Sequence, residues 1–230
     1  MGDSYQVLAL PELGEPEVDA CVERVLAWLW ENRVVRRASF SPAFRRTNMS
    51  KWVEAAARSR GEQPQPEELQ RTLDRWEAVQ LARKGYMPDE GAVSAIADMA
   101  DMPLWRRRGL SSVDDLAFGV EVVRGRHVQA LIHEAVLPTC PSCGVLAPAL
   151  DWLAGPLAVA CEAWKETGAG ELSCVACGVS SALKAWRFEP SAAFAALAFR
   201  FGNWPKLSSS FVANLAGVAG SVVVRLNDVV

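Results

Sequence analysis

Cys140-Pro141-Ser142-Cys143-Gly144 and Cys174-Val175-Ala176-Cys177-Gly178 are two copies of one pattern, Cys-x-x-Cys-Gly. Each copy can deliver two thiolates from a single tight backbone loop. Two copies supply four, the number that a tetrahedral zinc ion takes. The glycine after each second cysteine has no Cβ, so it can take a positive φ at no steric cost. Its amide is then expected to reach back towards a cysteine sulfur. Pro141 stiffens the first turn.

The two turns resemble the knuckles of zinc-ribbon proteins. The likeness covers roughly residues 138–179 and implies a structural Zn2+ held by Cys140, Cys143, Cys174 and Cys177. The insert between the turns is long and apolar, with Leu146, Leu150, Trp152, Leu153, Leu157 and Trp164. It is expected to join the core rather than form a bare ribbon. Two other chemistries compete at this point. Four thiolates also hold iron, although no further cysteine cluster supports electron transfer. A dithiol redox pair uses one Cys-x-x-Cys, where this chain has two. Within the zinc reading the role is structural, because four protein thiolates leave no open position for water or substrate.

Composition sets the frame. The chain has 230 residues, is 50% hydrophobic and is 22% charged, enough for one sizeable core or two small ones. The net charge of −3 gives no long-range attraction for nucleic acid or an anionic membrane. Residues 1–115 hold 16 basic and 19 acidic side chains, and residues 116–230 hold 8 of each, so the C-terminal half is sparsely charged. No window reaches the roughly 18 uninterrupted apolar residues of a spanning helix. The first residues, Met1 to Tyr5, lack the basic and apolar regions of a signal peptide. These features predict a cytoplasmic protein, where Cys pairs are metal ligands before they are disulfides.

Periodicity places the remaining elements. Tyr5 to Leu10 reads as a strand ended by Pro11. Val18, Cys21, Val22, Val25, Leu26 and Leu29 recur at helical spacing, and Val34 to Phe40 reads as a second strand. Glu67 to Lys84 predicts a second long helix, and Pro88 to Ala100 a short one. From Gly119 the period becomes two. Gly125 is expected to turn a hairpin whose second strand, Arg126 to Val136, runs into the cysteine module. Leu197, Phe199 and Phe201 alternate with polar or small residues as a strand. A helix follows Ser208, and Val222 to Leu226 closes the chain, so its end repeats the strand–helix–strand order of its beginning. The expected class is α+β: a mixed sheet with helices on one face and an embedded four-cysteine zinc-knuckle module. Residues 1–118 are the N-terminal α/β and helical region, and residues 119–230 the β-rich region with the module.

Two further sites follow from the residues. Arg36, Arg37, Arg45, Arg46 and Lys51 open a basic stretch that runs to Arg60 against a single Glu54. It is a candidate for an anion, a nucleic acid or an acidic partner, with Phe44 and Trp52 interleaved. A solvated helix face is the commoner meaning of such a run. His127 and His133 are the two histidines. On one extended strand they share a face, with Glu134 on the opposite one. Cys21 and Cys161 read as small core hydrophobes. The leading expectation is a non-catalytic cytoplasmic binding protein with structural zinc, acting through protein contacts. An inhibitor or immunity protein is one concrete form. A nucleic-acid-binding zinc ribbon is the second expectation, disfavoured by net charge. An enzyme using His127, His133 and Glu134 is the third.

Overall fold

The structure is a computed structural model. It describes residues 5–39, 50, 54, 57, 61, 66–81, 85–96, 119–130, 135–202, 204 and 206–229. The class is α+β, as expected: helices, antiparallel strand pairings and a four-cysteine cluster. The chain divides into two compact units. One comprises chiefly Ala27–Glu121 and Phe201–Ser208, the other Ser4–Leu26, Val122–Arg200 and Ser209–Val230.

The strands are β1 (Tyr5–Ala9), β2 (Val35–Ser39), β3 (Gly85–Pro88), β4 (Val120–Gln129), β5 (Leu137–Thr139), β6 (Glu171–Ser173), β7 (Ser180–Ala182), β8 (Arg187–Glu189), β9 (Ala193–Gly202) and β10 (Val224–Val229). The helices are α1 (Val18–Glu31), α2 (Pro66–Leu81), α3 (Ala92–Ala95), α4 (Gly155–Thr167) and α5 (Ser209–Ala219). In α1 every position of the predicted face is buried: Val18, Cys21, Val22, Val25, Leu26 and Leu29.

In the first unit β2 pairs antiparallel with β3, and β3 with the opening residues of β4, Tyr86 opposite Val120. Strand β3 escaped the sequence reading because its ends, Gly85 and Pro88, are both residues that break elements. Arg33 of this unit forms ion pairs with Asp89 and Glu90.

In the second unit the strand order is β10, β1, β9, β4, with β1 and β10 antiparallel. As an inner strand β9 is covered on both faces. Leu197 and Phe199 are fully buried, and the small Ala195 and Ala198 are buried too. The expected hairpin at Gly125 is not formed. β4 runs unbroken from Val120 to Gln129, with Gly125 at φ +90° inside it. A glycine in an alternating run marks a local distortion of a strand as readily as its reversal. The strand ends at Gln129 with a bend at Ala130, and of the predicted run on to Val136 residues 131–134 lie outside the described residues.

The insert between the cysteine turns builds most of a core. Helix α4 buries Leu157, Ala160, Cys161 and Trp164, and Gly168 ends it in the left-handed conformation with its N–H on the Trp164 carbonyl. Trp164 meets Phe194 at 5.5 Å, Phe194 meets Phe188 at 5.6 Å, and Phe188 meets Trp152 at 5.4 Å between ring centroids. This aromatic row ties α4 to β8 and β9. Leu153 and Leu146 depart from the expectation: both are exposed.

Two stability predictions follow from this packing. A Cβ at Gly170 would collide with the Ala160 carbonyl oxygen and stand 2.8 Å from Trp164 Cβ, whereas Gly217 in α5 has open space. Gly170→Ala is expected to cost at least about 2 kcal/mol by overpacking, and Gly217→Ala to add about 0.5 to 1 kcal/mol. Urea unfolding reads both, and similar effects of the two changes would contradict the packing. Burial also pushes the Cys161 thiol up to about 11 from an ordinary 9.0. The unfolded chain therefore loses this proton first. The contribution is intact below about pH 9 and is lost as pH rises from about 9 to 11, amounting to about 3 kcal/mol. Cys161→Ala should flatten the fall of unfolding free energy across that window relative to wild type, and parallel curves would contradict the assignment.

Candidate metal centre

Both cysteine turns are short antiparallel hairpins, and they match bond for bond at an offset of 34 residues. In the first, Thr139 bridges Leu146 and the Cys140 amide donates to the Val145 carbonyl at 3.0 Å. In the second, Ser173 pairs with Ser180 and the Cys174 amide donates to the Val179 carbonyl at 3.0 Å. Gly144 and Gly178 have φ of +70° and +73°, as the motif predicts. Their amides behave differently from the expectation. They close the turns on the Cys140 and Cys174 carbonyls, at 3.0 and 2.8 Å. The amides that reach a sulfur are two residues after each first cysteine: Ser142 to Cys140 Sγ and Ala176 to Cys174 Sγ, both 3.4 Å.

The four sulfurs converge. All lie within 4.8 Å of one another, with Cys140 Sγ 3.9 Å from Cys177 Sγ and Cys143 Sγ 3.8 Å from Cys174 Sγ. A tetrahedron with metal–sulfur bonds of about 2.3 Å has sulfur–sulfur edges of about 3.8 Å. The donor set therefore fits a single four-coordinate ion. All four cysteines are free thiols.

Burial divides the ligands. Cys140 and Cys174 sit in the core beside Trp152, Leu172 and Phe188, and Cys143 and Cys177 are exposed. Without a metal the four cannot all ionise. Burial opposes the Cys140 thiolate, yet hydrogen bonds from the Cys143 and Ser142 amides and from neighbouring thiols outweigh it and bring this group down to about 7. At Cys143 the Val145 amide favours the thiolate. Desolvation and the sulfurs of Cys140, Cys177 and Cys174 oppose it and push this group up to about 12. A bound divalent cation removes that conflict, because a coordinated thiol is deprotonated outright.

The other candidate residues are not brought to this centre. Arg36 Nε lies 3.8 Å from Asp89 Oδ1, and the Arg37 guanidinium stacks 5.1 Å from the Trp30 ring centroid. Both described members of the basic stretch are therefore engaged within the protein. Arg45, Arg46 and Lys51 lie outside the described residues. His127 is half-buried on β4, its Nε2 2.8 Å from the Arg124 carbonyl oxygen. His133 and Glu134 lie outside the described residues. Cys21 is buried in α1, its thiol directed at the Ala219 carbonyl oxygen at 3.8 Å.

No helix among the described residues is long and apolar enough to cross a membrane. Comparisons with protein-family models, with curated proteins and with solved structures return no match to this chain.

Proposed function

We propose that this chain is a non-catalytic binding protein of the cytoplasm, held in shape by a structural zinc ion and acting through protein contacts. The observation that carries the reading is the set of four cysteine sulfurs within 4.8 Å, at edges that suit one tetrahedral ion. Zinc is preferred to iron because divalent zinc binds such sites more tightly than ferrous iron. A polynuclear iron–sulfur cluster needs its thiolates spread over several metals, which this tight set does not suit. The structural role rests on ligand count: with four protein thiolates around it, the ion has no place for a substrate or an activated water. Burial of Cys140 and Cys174 supports the same role, since an ion held there links the core to both turns. Engagement of Arg36 by Asp89 and of Arg37 by Trp30 favours protein contacts over nucleic acid at the described part of the basic stretch.

Elemental analysis of the purified chain is expected to give about one zinc per chain. Cys140→Ser should lose the metal and on the order of several kcal/mol of stability. A full complement of zinc in that variant, or iron in place of zinc in the wild type, would overturn the reading. Affinity capture from the native cell is expected to return a protein whose recovery survives nuclease, and nuclease-sensitive recovery would contradict the mode of action.

A further inference from the structure

We propose that the outer face of the two cysteine turns docks a protein segment presenting a lysine or arginine between apolar side chains. The inference rests on the metal reading above, because the charge of the loaded centre enters it.

Four large apolar side chains on these two turns are exposed: Val175 by 79%, Leu146 by 55%, Val145 by 46% and Val179 by 45%. Scattered exposed hydrophobes are ordinary on any surface. These are not scattered. Val145 and Val179 are the residues whose carbonyls receive the Cys140 and Cys174 amides, Leu146 follows Val145, and Val175 stands between two ligands. The matched turns thus frame the exposed ligands Cys143 and Cys177 with apolar groups.

The electrostatics select what covers the face. Four thiolates around a divalent ion carry a net charge of −2. Residues 135–150 and 172–183 contain no charged side chain. Lys184, next in sequence, donates to the Pro11 carbonyl at 3.1 Å and lies 5.7 Å from the Trp164 ring centroid. Among the described residues sheet register brings one other cation near, Arg187 opposite Thr139. A single arginine does not offset a charge of −2.

The candidate occupants separate on this charge. Nucleic acid or an acidic segment would be repelled. A second copy of this face would set one −2 centre against another. A wholly apolar partner would strip water from the charge and return nothing. A segment with one basic side chain between apolar residues answers both features, and arginine is enriched at the energetic centre of protein interfaces.

The test uses the full-length, zinc-loaded chain, with its metal content measured, as bait for a phage-displayed library of random peptides. Enriched sequences are expected to carry Lys or Arg flanked by apolar residues. Their affinity should fall about tenfold or more on Val175→Asp, about threefold or more on Val175→Ala, and about tenfold when the peptide cation becomes Gln. Val175 is exposed, so both variants should retain full zinc. Acidic or uncharged consensus peptides, affinity indifferent to Val175, or no enrichment from a zinc-loaded bait would overturn the docking proposal. A purified chain that binds no zinc would instead overturn the metal reading beneath it.

Discussion

The second unit of this protein depends on the convergence of four cysteine sulfurs. Four thiolates within 4.8 Å repel one another, and four thiols so placed gain little from proximity. The arrangement would stabilise the fold when a divalent cation offsets half of the cluster's charge, and in that state it would join two hairpins otherwise too small to stand alone. The local conflict is visible in the opposite shifts of Cys140 and Cys143, two ligands from one turn.

The inner ligands explain how so small a module is tied to a larger body. Cys140 and Cys174 belong to the same cluster of buried residues as Leu157 and Trp164 of α4 and Phe188 of β8. The segment between the turns is therefore the scaffold that sets the distance between the two pairs of sulfurs. Close approach at Gly170, where the chain leaves α4 for the second turn, is part of the same constraint. Helix, aromatic row and cysteine turns place one another.

The cysteine centre was legible in the sequence because its chemistry is written locally. A Cys-x-x-Cys-Gly turn needs five consecutive residues, and the positive φ of Gly144 and Gly178 follows from the absence of a side chain. The long helices were legible for a similar reason: the apolar face of α1 is read at fixed spacing and every member of it is buried. What failed depended on distant partners. Gly125 carries the same local signal whether it reverses a strand or distorts one, and the outcome here is one continuous β4. Strand β3 is four residues long between two breakers and exists through its pairing with β2 and β4. Of the two histidines, His127 lies on β4 and His133 lies outside the described residues. At the described start of the basic stretch, the groups that engage Arg36 and Arg37 are Asp89, distant in sequence, and Trp30, which no sequence pattern marks.

Four protein ligands would close such a centre to substrate, and the two turns that carry them expose Val145, Leu146, Val175 and Val179. Everything in this account turns on how the metal is bound. X-ray absorption at the zinc edge of the purified full-length chain tests that most directly. The account predicts four sulfur neighbours at about 2.3 Å, no nitrogen or oxygen neighbour and no second metal. A lighter ligand in the first shell, or metal–metal scattering, would contradict it.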